Sequence, residues 1–269
     1  MITHLVHVPS APVNRAVEFF WYVQGKMPEP CRYMLLPDGA IVLIINLGEP
    51  QMLCDRADVR RQTICRESWV AGQQLEPIIL QQSGDLRIAG IRFRPGGALP
   101  IFRCAMEEFT AQVIALEHLP SLDTAALREE LIETADPKRV LLRLESWVAD
   151  RLAQSTLPDR RAAFAAQQLQ RGARIEALTS ALGLSNKHLI SEFRKHVGLS
   201  PKHYARIQRL QRTIAAVGHR PSVNWSDVAA QHGYCDHSHL INEFRGLVGI
   251  SPGEYLARRA PYLGYLNVA

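Results

Sequence analysis

Two stretches of this chain are near copies of each other. Residues 189–204 read LISEFRKHVGLSPKHY and residues 240–255 read LINEFRGLVGISPGEY, identical at ten of sixteen positions. Upstream, Leu178-x4-Gly183 recurs as Val228-x4-Gly233, which gives the second copy one extra residue in its turn. A sequence repeated within one chain folds twice into the same supersecondary unit, so any fold assigned here has to contain that unit in duplicate.

Each copy parses as helix, tight turn, helix. In the first, residues 175–182 form a short helix with Leu178 and Leu182 on one side. Gly183 suits the left-handed position that ends it. Ser185 caps the next helix by accepting a hydrogen bond from a free backbone N–H. That helix runs to about His196, and Val197-Gly198 ends it before Ser200-Pro201 starts another. The second copy repeats the plan with residues 227–232, Gly233 at the turn, Asp236 as cap, and a second helix to about Leu247. This is the helix-turn-helix arrangement, whose second helix can enter a DNA major groove. The competing reading is an ordinary helical hairpin with a solvated surface.

The faces of the two second helices bear on that choice. Leu189 and Phe193 are four apart and point into a core. The opposite side of that helix carries Lys187, Ser191, Arg194 and Lys195, with His188 beside them. In the second copy Leu240 and Phe244 are the anchor, and Ser238, Asn242 and Arg245 lie opposite, with His239 beside them. Ser, Asn, Arg and Lys are side chains that hydrogen-bond base edges or phosphate oxygens. Glu192 and Glu243 project sideways and are not expected to read bases. Between the copies, residues 204–217 read as a helix of about 14 residues, hence about 21 Å long. With half of each flanking unit added, two reading helices about 34 Å apart, one turn of DNA, are compatible with this spacing. Arg206, Arg209 and Arg212 on the connecting helix are candidate phosphate contacts; alternatively they pair with acidic residues of the N-terminal part.

Charge is divided in the same way. Residues 1–160 hold 17 Lys and Arg against 20 Asp and Glu, while residues 161–269 hold 14 against 6, together with seven of the ten histidines. A basic C-terminal block on a mildly acidic remainder suits a polyanionic partner, although a solvated basic face would give the same count.

The 269 residues leave room for two domains of ordinary size. From about residue 19 to 93, short β-type runs alternate with turns. Residues 31–36, 41–47, 68–71, 78–82 and 86–93 read as strands, separated by Pro37-Asp38-Gly39, Gly72 and Ser83-Gly84-Asp85 and closed by Pro95-Gly96-Gly97. Residues 99–170 carry helical periodicity, with Asp136-Pro137 as a helix start and Leu157-Pro158-Asp159 as a break. The expected fold class is α+β. A β-barrel or cupin-like domain over residues 1–104 precedes a helical linker over 105–160. An all-α domain with two helix-turn-helix units then occupies 161–269.

Several chemistries find little support. Five scattered cysteines without a C-x-x-C pair argue against a disulfide framework and for a reducing compartment. There is no apolar run of membrane-spanning length and no signal-peptide pattern, so a cytoplasmic chain is expected. His232, Cys235, His237 and His239 are zinc-ligand types, but they fall across a turn that the repeat already explains. Only His4, His7 and His118 precede residue 160, and none lies on an expected strand, which disfavours a metal-dependent enzyme. Cys65, near Arg60-Arg61 and Arg66, is the nearest approach to a nucleophilic cysteine of DNA-repair type. No Gly-rich phosphate loop is present.

The second copy resembles the DNA-binding domain of AraC/XylS-type transcriptional regulators. The residues that carry this are Trp225-Ser226-Asp227-Val228-Ala229, Gly233-Tyr234-Cys235-Asp236-His237-Ser238-His239-Leu240, Phe244-Arg245 and Gly249-Ile250-Ser251-Pro252-Gly253-Glu254-Tyr255. The first copy is looser, with Thr179 where the family has alanine. Phe20-Trp21-Tyr22, Leu36-Pro37-Asp38-Gly39 and Arg92-Phe93-Arg94-Pro95-Gly96-Gly97 are similar to the sensory domain of a subgroup of the family. The resemblance implies a cytoplasmic, non-enzymatic transcription regulator that binds double-stranded DNA and uses no cofactor. A small-molecule effector at a cupin-like N-terminal domain, RNA polymerase and a second copy of the chain are its candidate partners. A scaffold whose helical block docks a protein is the alternative.

Overall fold

The computed structural model describes residues 2–119, 122–155, 160–218, 220, 222–259 and 265–268. Two long strands form the spine of the N-terminal part. β2 (Val17–Leu35) and β7 (Ile78–Phe93) pair antiparallel along most of their length. β1 (Thr3–His7) adds to the outer edge of β2, and β3 (Val42–Asn46) to the other edge of β7. β6 (Ser68–Ala71) and then β8 (Val113–Ala115) extend the sheet beyond β3. The hairpin of β4 (Gln51–Cys54) and β5 (Gln62–Cys65) joins the early half of β7. A last strand, β9 (Tyr265–Val268), returns from the C-terminus to pair with residues 32–35 of β2. Among the described residues the ladder is open and does not close into a hydrogen-bonded barrel.

Strand side chains alternate between faces, and the middle of this sheet is covered on both. Leu43 and Ile45 of β3 join Phe20, Tyr22, Ile91 and Phe93 in the larger core, while Ile44 faces the other way with Trp69, Leu86 and Ile88. That is why residues 41–45 form an unbroken apolar run. The larger core is capped by α1 (Leu99–Phe102), α2 (Ala125–Glu133) and α3 (Pro137–Ala153). Asp136 accepts from the Lys138 N–H and Pro137 opens α3, as the dipeptide implied.

The helical block comprises α4 (Arg160–Gln170), α5 (Ile175–Leu182), α6 (Asn186–Val197), α7 (Pro201–Val217), α8 (Trp225–Gln231), α9 (His237–Val248) and α10 (Pro252–Arg258). Its core is built from the repeat anchors Leu189, Phe193, Leu240 and Phe244 with Tyr204, Leu210 and Tyr255. Leu36 and Leu266, which flank or lie on the sheet, share that core.

Three expectations are corrected. Ser83-Gly84-Asp85 is not a turn: β7 runs straight through it, because Gly84 at φ +71° makes a local irregularity opposite the register shift in β2 between Met27 and Cys31. Residues 99–170 are not wholly helical, since β8 lies among them; a three-residue strand paired with distant β6 carries no local periodicity. His4 and His7 do lie on a strand, β1, where His7 Nε2 meets Glu145 Oε2 at 2.5 Å and its ring stacks on Phe20. The expected break at 157–159 lies outside the described residues.

Candidate nucleic-acid interface

Both copies fold as helix, turn, helix. Gly183 ends α5 at φ +62°, and Gly233 turns the second copy at φ +76°. Ser185 Oγ accepts from the His188 N–H at 3.2 Å and starts α6. Asp236 Oδ1 accepts from the His239 N–H at 2.7 Å and starts α9. The equivalent anchors Leu189, Phe193, Leu240 and Phe244 are each at most 1% exposed, which fixes the rotation of both helices about their axes.

With that rotation set, the opposite faces point outward. Lys187, His188, Ser191, Arg194 and Lys195 on α6 are exposed, as are Ser238, Asn242 and Arg245 on α9. His239 is half-buried: its Nδ1 accepts from the Cys235 N–H at 3.1 Å, so the ring closes the turn instead of standing free.

α7 behaves differently from the expectation of open phosphate contacts. Arg209 Nε and Nη2 donate to Glu243 Oε1 and Oε2 at 2.9 and 2.6 Å, and Arg206 Nε donates to Glu243 Oε2 at 3.2 Å. Arg209 Nη1 also donates to the Gly233 carbonyl at 2.9 Å, and its guanidinium lies 4.7 Å from the Tyr234 ring centre. Arg212 Nη1 donates to the Leu169 and Gln170 carbonyls at 3.2 and 2.7 Å. The partner is therefore the second copy's own glutamate, not an acidic residue of the N-terminal part. Glu243 is only 8% exposed, so the sideways carboxylate of the sequence is the ion-paired post on which α9 is mounted. An acidic residue at i+3 from a buried Leu was the one hint, and it did not reveal a partner 34 residues away.

These residues line a cleft of ≈ 890 Å³ between α7 and the second unit, with Arg174, Lys202, Arg206, Arg212, His232 and Asn242 around its walls. Burial, and secondarily Arg212, holds the His232 imidazole below its usual range, so the ring favours its neutral form. Three thiols of the N-terminal part, Cys54, Cys65 and Cys104, are held in their protonated form. Burial pushes Cys65 and Cys54 upward, and burial followed by Glu108 pushes Cys104 up to about 11. A thiol held protonated in this way is a poor nucleophile.

Residues 178–258 match the family model of a helix-turn-helix domain, and residues 5–115 match that of a domain of unknown function, DUF6597. No curated protein matches the sequence. Among solved structures the chain is similar to ToxT from Vibrio cholerae at 11% identity and TM-score 0.46, covering 95% of this chain and 98% of that one. It is similar to unsaturated fatty acid bound ToxT from Vibrio cholerae strain SCE256 at 11% identity and TM-score 0.44, covering 94% of each chain. The AraC-like transcriptional activator CuxR is similar at 16% identity and TM-score 0.32, covering 78% of this chain and 86% of that one. The duplicated unit and the helix-turn-helix match define a DNA-binding transcription regulator. Its helix-turn-helix domain is of the AraC type.

Proposed function

We propose that α6 and α9 read two successive major grooves on one face of a DNA duplex. Ser191 and Asn242 contact base edges, while Lys187, Arg194, Lys195 and Arg245 contact phosphates, with His188 and Ser238 beside them. One observation carries this reading: at matched positions of a repeat, both helices bury their apolar anchors and leave a face of uncommitted donors in solvent. Arg206 keeps an open edge toward the cleft, its side chain being 36% exposed, and offers it to a phosphate. Arg209 is committed to Glu243, Gly233 and Tyr234, and its part in binding is to hold the second unit in place.

In this proposal residues 1–104 form the controlling domain, residues 105–160 the helical link and residues 161–269 the DNA-binding domain. The controlling domain responds to a small-molecule effector, a role supported by its direct contacts with α6 and α7. The chain acts in the cytoplasm without catalytic chemistry of its own. RNA polymerase and a second copy of the chain are its proposed protein partners.

A mobility-shift titration of genomic fragments against salt tests the DNA reading. Each neutralised phosphate releases counterions with a slope of about −0.9 in log affinity against log salt, so the five phosphate contacts proposed here correspond to a loss of roughly 500-fold between 50 and 200 mM salt. A fall of that steepness is expected. Salt-insensitive capture of a protein with no shift of DNA would favour the docking scaffold instead.

A further inference from the structure

The carboxyl ends of the two reading helices are equivalent points of the repeat, and the N-terminal part touches both. At the end of α6 the Val197 carbonyl accepts from Gln73 Nε2, and the Gly198 carbonyl accepts from Thr110 Oγ1 at 2.7 Å. Gln73 is 2% exposed. It lies over Gly198 so closely that a Cβ there would stand 2.3 Å from Gln73 Oε1, at a backbone φ of +96°. Fifty-one residues on, Gly249 ends α9 at φ +84°. A Cβ at Gly249 would stand 2.7 Å from Arg56 Nη2. Each helix thus stops in a glycine, and a polar side chain of the N-terminal part occupies the room the missing methyl leaves.

The chemistry of the two grips is alike. The last carbonyls of a helix lack intrahelical donors and carry the negative end of its dipole. An amide and a hydroxyl supply donors at the first helix, and a guanidinium supplies positive charge at the second. The grips are also joined to each other. Arg56 sits in the β4–β5 turn and is ion-paired with Glu76, which lies on the same β6–β7 loop as Gln73. Apart from this bar, the two units are connected through α7, and α10 of the second unit is also held to the sheet by β9, which pairs with β2. Phe193 stacks edge-on against Tyr204 at 5.4 Å on one side, and Glu243 pairs with Arg206 and Arg209 on the other. A tie at the far ends of the reading helices adds a direct restraint on their rotation about the axis of α7.

We infer that the part of the chain N-terminal to the helical block fixes the separation and relative rotation of the two reading helices through Gln73, Thr110 and Arg56. Those residues thereby determine which half-site spacing the protein accepts. They are positioning residues, touching no DNA, and the inference rests on the groove-reading proposal above.

Two measurements on the full chain test it and separate its failure from that of the DNA reading. The first needs no DNA. Spin labels on native Cys235 and on Lys187→Cys, with Cys31→Ser and Cys104→Ser removing other accessible thiols, report the distance between the units. Wild type should give one narrow distribution, and Gln73→Ala with Arg56→Ala one at least about twice as wide. Arg56→Ala alone, a change at a partly exposed side chain, covers the case in which the double variant fails to fold and should broaden the distribution as well. The second measurement is selection from duplexes whose two half-sites are separated by variable spacers. Wild type should prefer one length, and the variants should accept spacers one base pair longer or shorter about tenfold more readily, roughly 1.4 kcal/mol. An unchanged distance distribution, or an unchanged spacer preference in a folded variant, overturns the inference. A wild-type chain that binds no duplex while its variants broaden overturns the DNA reading and leaves the grip standing.

Discussion

Glu243 shows how one buried charge organises the second unit. Its side chain, 7% exposed, accepts hydrogen bonds from Arg206 and Arg209, whose side chains are 36% and 22% exposed. Removing one member of a buried ion pair costs about 3–5 kcal/mol, less where the partners reach solvent as these do. Glu243→Gln is therefore expected to lower unfolding free energy by about 2–3 kcal/mol in urea titration. Loss of less than about 0.5 kcal/mol would place it among ordinary surface substitutions. Its neighbour Asn242 is exposed and supports nothing internally. Asn242→Ala should leave stability unchanged and shift base preference at one position by about 1–3 kcal/mol, read by selection from randomised sites. Unaltered preference would remove Asn242 from the reading face.

Helices with sharp ends were legible and long-range pairings were not. Ser185, Asp236, Asp136 and Ser200 each cap a helix as their positions implied, because capping is local chemistry settled within three residues. Ser185→Ala and Asp236→Ala should each cost about 1 kcal/mol, measured by chemical denaturation, with amide exchange quickening first at the start of α6 or α9. Equal protection in wild type and variants would show that tertiary contacts alone hold those turns. The outward faces of α6 and α9 were equally legible, since four-residue spacing of Leu and Phe dictates which side is left. By contrast β1, β4, β5, β8 and β9 went unread. They are three to five residues long and owe their existence to partners far along the chain. Arg206 and Arg209 were located correctly on the connecting helix, but their partner is 34 to 37 residues distant and leaves no periodic trace.

At the scale of the molecule, sheet and helical block are sewn together. Gln208 Nε2 donates to the Asp38 carbonyl at 2.8 Å and Gln211 Nε2 to the Pro37 carbonyl at 2.6 Å, which seats the β2–β3 turn on α7. β9 lies against β2, with Leu266 1% exposed in the helical core. Leu266→Ala is expected to destabilise the full chain by about 2–4 kcal/mol, through lost burial and the cavity left behind. A thermal midpoint within error of wild type would show the tail to be a passive appendage. Basic charge is concentrated in the part that presents the reading helices, so approach to DNA is steered toward that side. The direct test of the central claim is a base-resolution footprint of the full chain on a duplex recovered by selection. Two protected blocks should appear on one face of the helix, their centres about 10–10.5 base pairs apart. A single protected block, or two blocks half a turn out of phase, would contradict it.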